Sequence, residues 1–295
     1  MLFSKRYPLH LNEEASPIFI VGSGRSGNTI LRRILSNSHE LYIPPETLVL
    51  GQVIRQFKNS KCLSWNELCL LTLGTFSNSE EFETFPTPYL HGLYKSLILL
   101  PKEERSLSKI VSGFYELMLK KAKPVAIRWG DKTPINSFSL KEINKLFPNA
   151  KYVHIIRNGY DVVNSYLKMG RYSEPKDAAR RWVKAVNSCH DFATTEPNKV
   201  IEIKYENFCH NPQLVTESLC KFFELEYLPQ MTSGAEYLHT LGDIESREQY
   251  SNVSKPIDTS SIGRGLKELD EHALEILHPI MSETMEKFGY TLARD

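Results

Sequence analysis

The chain has 295 residues, 41% of them hydrophobic, enough for one large core or two modest ones; whole-chain disorder and a disulfide-stapled mini-fold are excluded. Thirty-six Lys and Arg stand against 35 Asp and Glu, a formal charge of +1, so no global footprint marks a nucleic-acid polymer or an anionic membrane as partner. Any anion site has to be built locally.

Residues 1–14 lack an apolar h-region and no apolar run reaches the length of a membrane span. Read as a complete chain, the protein is expected in the cytoplasm without an integral membrane segment. The five cysteines (Cys62, Cys69, Cys189, Cys209, Cys220) are odd in number, scattered and free of any CxxC pair, the pattern of reduced thiols and not of a zinc cage or disulfide framework. Without repeats or low-complexity tracts, residues 1–295 read as one domain carrying an insertion, as a monomer or a homodimer.

Short β-branched or aromatic runs followed by turn residues predict buried strands over 17–21, 125–129, 151–156 and 199–203. Apolar residues at helical spacing predict helices over 28–36, 139–147, 160–168, 175–194, 212–223 and 270–288. Strand alternating with helix implies an α/β fold, a parallel sheet covered on both faces. Residues 51–123 break that rhythm and read as a mainly helical insertion interrupted at Pro86, Pro88 and Pro101, which either shapes an acceptor pocket or merely elaborates the fold.

The strongest chemical signal lies where the first strand meets the first helix, in Gly22-Ser23-Gly24-Arg25-Ser26-Gly27-Asn28-Thr29. A helix N-terminus offers free backbone N–H groups to an anion, and glycines let the backbone close around it. Ser26 and Thr29 add hydroxyl donors, and Arg25 adds a planar fork that matches phosphate or sulfate oxygens. Against GxxxxGK[ST], Gly22, Gly27 and Thr29 keep their places, but Asn28 occupies the position of the lysine that reaches the outer phosphates in NTPases. The loop is therefore read as a phosphate or phosphosulfate cradle whose positive charge comes from Arg25.

With Arg25-Ser26-Gly27-Asn28-Thr29 the sequence resembles the sulfotransferases that use 3′-phosphoadenosine 5′-phosphosulfate (PAPS), in particular the branch of protein-tyrosine sulfotransferases and bacterial sulfotransferase-family proteins. The strand ending in Arg157, followed eight residues later by Ser165, is similar to that family's grip on the 3′-phosphate. Lys204-Tyr205-Glu206-Asn207-Phe208 resembles the segment whose tyrosine, here Tyr205, borders the nucleotide, and Ser261-Ile262-Gly263-Arg264-Gly265 resembles the segment that folds over PAPS. Gly265 stands where the family has tryptophan, and Arg264 is carried over as a phosphate ligand.

The resemblance implies a P-loop-NTPase-like sheet, PAPS as co-substrate with 3′,5′-ADP as product, and no metal. Sulfuryl transfer needs a base for the acceptor hydroxyl and a cation for the leaving oxygen. Glu46, in Pro44-Pro45-Glu46-Thr47, matches the family's general base, and Lys132, in Gly130-Asp131-Lys132-Thr133-Pro134, matches its leaving-group lysine, with Asp131 as a candidate holder of the ammonium. Leu48 replaces the family's next basic residue. Among histidines, His154 inside a strand reads as packed, His39 as a turn residue, and His91 as the alternative base. The expected function is thus transfer of a sulfuryl group to a carbohydrate, tyrosyl or small-molecule hydroxyl, the alternatives being a P-loop kinase-like phosphotransferase and a non-catalytic nucleotide-binding module.

Overall fold

The computed structural model describes residues 7–11, 15–87, 89–233 and 257–292. Most of the stretch that bears on a leader segment, and Pro88 of the insertion, lie outside these residues. Strand β1 (Ile18–Val21) runs through the glycine-rich loop into α1 (Asn28–Ser36), and a two-residue strand, β2 (Leu41–Tyr42), follows. The helical excursion comprises α2 (Leu50–Asn59), α3 (Trp65–Ser77), α4 (His91–Ile98) and α5 (Leu107–Ala122), with short 3₁₀ turns at Phe82–Thr84 and Lys102–Glu104. The chain returns to the sheet as β3 (Arg128–Lys132), makes a 3₁₀ turn at Pro134–Phe138, and continues through α6 (Leu140–Leu146), β4 (Lys151–Ile156), α7 (Gly159–Lys168), α8 (Pro175–Thr195) and β5 (Val200–Lys204). Last come α9 (Tyr205–His210), α10 (Pro212–Phe223), α11 (Gln230–Ser233), α12 (Arg264–Glu268) and α13 (Glu271–Lys287).

The sheet order is β2-β3-β1-β4-β5 and every pairing is parallel. Alternation along β1 sorts its side chains by face. Ile18 and Ile20 pack with Leu31, Ile34 and Leu35 of α1, while Phe19 and Val21 join the aromatic core that the insertion helices build around Phe114, Tyr115 and Trp129. Phe19 stacks on Tyr152 at 5.3 Å and Tyr115 on Trp129 at 4.2 Å. A third cluster, under α7, α8 and α13, is centred on Trp182 and Met281. The insertion therefore covers one face of the sheet with a core continuous with it.

Two expectations change. The strand predicted at 125–129 forms three residues later, because Val125 and Ile127 are 67% and 82% exposed in the turn before it while Asp131 and Lys132 are buried within it. Strand β2 is too short to leave an alternating pattern.

Candidate active site

Four of the five parallel strands deliver something to the carboxyl edge of the sheet. β1 ends in the loop, β3 in Lys132, β4 immediately before Arg157, and β5 immediately before Tyr205. Registers of Ile20 with Lys132, Val21 with His154 and Ile156 with Lys204 keep these ends together. The chain crosses from the β3 side of β1 to the β4 side, and the crevice at such a reversal is where open α/β sheets bind ligands.

The loop is held tight from outside. Gly22 N–H donates to Ser137 Oγ (3.0 Å), which donates back to Gly22 C=O (3.1 Å). Gly27 has φ +95°, and a Cβ there would lie 2.5 Å from the Tyr205 ring, so glycine is required both for the turn and for the approach of the tyrosine. α1 begins without a side-chain cap, leaving its first-turn N–H groups directed at the loop. Asn28 does not act as the missing lysine would: its amide donates to Ser23 C=O (2.7 Å) and closes the loop, leaving its backbone to face the anion. Thr29 is half-buried in the first turn of α1.

Arg25, itself at φ +66°, donates through Nε to Ser165 Oγ (3.0 Å), bringing together two residues 140 positions apart that the sequence assigned to opposite ends of the nucleotide. Arg157 donates from Nη1 to Arg25 C=O (3.0 Å) and from Nη2 to Ser261 C=O (2.6 Å), and lies over the Tyr205 ring at 4.6 Å. Trp182 fixes the backbone beneath it by donating to Arg157 C=O (3.1 Å). The Tyr205 hydroxyl shares a hydrogen bond with Ser261 Oγ (2.8 Å), and burial, opposed by the Arg157 charge, pushes its pKa up to about 12. Arg264 is exposed and turns back onto Ser260 C=O (2.6 Å) at the rim.

Two buried donors in this cluster, Ser26 Oγ and Arg157 Nε, have no hydrogen-bond partner among the described residues. Burial of unpaired donors is costly, and here they accompany the open α1 N-terminus and two guanidinium groups. Residues of this kind fit a phosphorylated, multiply anionic nucleotide. Among the described residues no group of His, Cys, Asp or Glu is arranged to hold a metal.

At the neighbouring strand end, the fully buried Lys132 ammonium donates to the Glu46 carboxylate. Asp131 is not its holder. Successive strand residues face opposite sides of a sheet, and the Asp131 carboxylate turns instead into a polar cluster, accepting from Tyr115 Oη (2.6 Å), Thr47 Oγ1 (3.0 Å), Thr133 Oγ1 (3.2 Å) and Asn136 Nδ2 (2.8 Å). Burial pushes the Asp131 pKa up against the pull of those hydrogen bonds. Thr47 N–H also donates to Thr133 Oγ1 (3.1 Å), so the residues after Glu46 and Lys132 are tied to one another. Immediately beyond, Val49 N–H reaches Thr47 C=O (2.7 Å) around Leu48 at φ +59°, a γ-turn of the strained hand.

His91 sits exposed on α4 with its ring against Tyr94 (6.4 Å), and no hydrogen bond or ion pair among the described residues joins it to the loop, Glu46 or Lys132. His39 is exposed just after α1, and His154 is fully buried, as its strand position predicts. Sequence reasoning missed Ser137, Asp161 and Ser261 because their partners lie more than a hundred positions away; Thr47 and Thr133 were signalled only by adjacency to Glu46 and Lys132.

A loop of this outline without its phosphate-reaching lysine, supplied with charge by an arginine inside it and another at the next strand end, departs from NTPases and kinases. It defines a group-transfer enzyme holding a charged nucleotide on a P-loop-like parallel sheet. The chain belongs to the sulfotransferase family, whose model matches residues 17–229, and it is a sulfotransferase. It is 21% identical over 267 residues to protein-tyrosine sulfotransferase 1 of Danio rerio, covering 87% of this chain and 67% of that one. The sulfotransferase domain from the olefin synthase of Synechococcus PCC 7002 matches with TM-score 0.64 at 20% identity, covering 98% of this chain and 100% of that domain. Mouse sulfotransferase SULT7A1, solved with PAP, matches with TM-score 0.50 at 12% identity, covering 94% and 86%.

Proposed function

We propose that the protein moves a sulfuryl group from PAPS to an acceptor hydroxyl, working in the cytoplasm as a single domain. The observation that carries this reading is the Lys132–Glu46 contact beside an anion loop that lacks the NTPase lysine. Bound PAPS supplies the sulfuryl group and a phosphate leaving group. Arg25, Ser26, Gly27, Thr29 and the backbone of Asn28 hold the 5′ side; Arg157 and Ser165, with Tyr205 under the guanidinium and Arg264 at the rim, hold the 3′-phosphate. Glu46 takes the acceptor proton, and the Lys132 charge, kept in a buried site by that same carboxylate, offsets the charge that develops on the leaving oxygen. A sulfotransferase solved with PAP among the structural neighbours supports the co-substrate, and protein-tyrosine sulfotransferases among the relatives support a tyrosyl acceptor, with small-molecule and carbohydrate hydroxyls as the other candidates.

Titration with 3′,5′-ADP tests the nucleotide assignment. At a hundredfold excess over Kd, binding to the folded state alone adds about 2.7 kcal/mol of stability, read as a rise in Tm. Stabilisation by Mg-ATP but not by 3′,5′-ADP overturns the proposal. Glu46→Gln is expected to keep 3′,5′-ADP binding and to lose about 10²–10⁴-fold in turnover, the range of a lost general base. Turnover near wild type removes Glu46 from the chemistry.

A further inference from the structure

The segment from Thr259 to Glu268 crosses the outer side of the site. Both oxygens of Asp161, in the first turn of α7, accept backbone N–H groups from it: Oδ2 from Gly263 (2.9 Å) and Oδ1 from Gly265 (2.7 Å). The Asp161 side chain is 1% exposed and stands 3.9 Å from Arg157 Nη2. A buried carboxylate beside the principal guanidinium of an anion site opposes anion binding by its own charge, so its presence needs a reason. The two N–H groups supply one. At Gly265 the segment presses directly on α7, where a Cβ would lie 2.2 Å from the Tyr160 carbonyl carbon and 2.5 Å from Asp161 N. Tryptophan, which the family pattern has here, is sterically impossible in this packing, and the departure noted in the sequence becomes the point of attachment. Farther along, Glu268 accepts from Asn164 and pairs with Lys168 (2.8 Å).

Attachment matters because the same segment supplies the Ser261 carbonyl that receives Arg157 Nη2 and the Ser261 hydroxyl that meets Tyr205. With Arg25 C=O on Nη1 and Ser261 C=O on Nη2, the guanidinium is fixed in place, and its buried Nε, without a partner among the described residues, is left as a donor. We infer that Asp161 is a positioning residue, the fastener that locks Gly263 and Gly265 onto α7 and thereby sets Arg157 for the nucleotide. Its effect is on nucleotide affinity and not on the chemical step. The affinity part rests on the sulfotransferase reading; the fastening does not.

The test uses the full chain with Asp161→Asn and, independently, Gly265→Ala, which pushes the segment off α7 without touching the carboxylate. In Asp161→Asn, losing charge-assisted hydrogen bonds is expected to speed amide exchange across residues 259–268 about tenfold or more and to weaken 3′,5′-ADP binding about 10- to 100-fold. The KM for PAPS rises in step while kcat at saturating PAPS stays within about threefold, a split that loss of general stability does not produce. Gly265→Ala shows the same pattern. Unchanged exchange and affinity in both variants, or a fall in kcat at unchanged affinity, overturns the assignment. If the wild type fails to bind 3′,5′-ADP, the functional reading fails, and the exchange measurement alone decides the fastening: lost protection supports it and retained protection refutes it. Should Asp161→Asn not fold, Gly265→Ala carries the same readouts.

Discussion

Lys132 is a cation with no exposure at the end of a strand, a costly placement that the Glu46 carboxylate offsets. Glu46 provides that charge from a loop whose geometry is not its own: Thr47 beside it and Thr133 beside Lys132 both donate to Asp131. Asp131 thereby sets the spacing of the Glu46 carboxylate and the Lys132 ammonium without touching either. Replacing it by Asn keeps the shape but puts an NH₂ group against donors, since only one oxygen remains for four of them. Asp131→Asn is expected to cost about 1–3 kcal/mol in denaturant unfolding, the range for buried polar groups left unsatisfied, and to lower turnover about tenfold or more while 3′,5′-ADP affinity holds. Equal turnover at equal folded fraction shows that the cluster serves the core alone.

At the scale of elements, the clear boundaries were those marked by apolar periodicity together with a backbone-specific residue. Helices α1 and α10 run over the residues their spacing predicts, α1 opened by Gly27 at φ +95° and α10 by Pro212. β3 resisted the same reading because its buried end is Asp131-Lys132, charged residues that no hydropathy pattern assigns to an interior. The site followed the same division. Arg25, Arg157, Glu46 and Lys132 were legible through local motifs, whereas the fastening by Asp161 and Ser261 depends on a chain reversal that spacing does not encode. α10 also ends without the residue its geometry favours. Glu224 takes φ +58° at the left-handed cap, with Leu225 N–H on Cys220 C=O (2.9 Å). Its side chain is 79% exposed and meets Lys151 at 2.8 Å, a contact of little weight in solvent. Glu224→Gly is accordingly expected to raise Tm by about 2 °C in calorimetry, with activity unchanged, as left-handed strain is relieved. A lower Tm shows that the Lys151 contact outweighs the backbone.

The molecule as a whole is one parallel sheet with charge arranged at its edge, and its net +1 says nothing of that cleft. One ionisable group sits instead at the sheet's centre. His154 of β4 is in register with Val21 of β1 and Glu202 of β5, fully buried, and its Nδ1 meets Glu202 Oε1 at 2.8 Å. His190 of α8 shares that carboxylate at 3.0 Å. His154 Nε2 has no partner among the described residues, and its Cδ2 stands 3.5 Å from where a Cβ on Gly22 would lie, directly behind the anion loop. Burial lowers its pKa below the usual 6.5, with Glu202 opposing only in part. The folded state therefore refuses a proton that the unfolded chain accepts, and stability falls as pH drops from about 6.5 toward the folded pKa, below which this group adds no further slope. Burial pushes the Glu202 carboxyl up, but His154 and His190 outweigh it and hold the group below the usual carboxylate value, so its contribution is lost only at pH below about 4.5. Because β1, β4 and β5 meet at this point, the charge cannot be relieved by opening one element, and the slope belongs to global unfolding. Urea midpoints between pH 8 and pH 5 are expected to fall in the wild type and to stay flat over that range in His154→Gln. Parallel slopes in the two proteins assign the acid sensitivity to other groups.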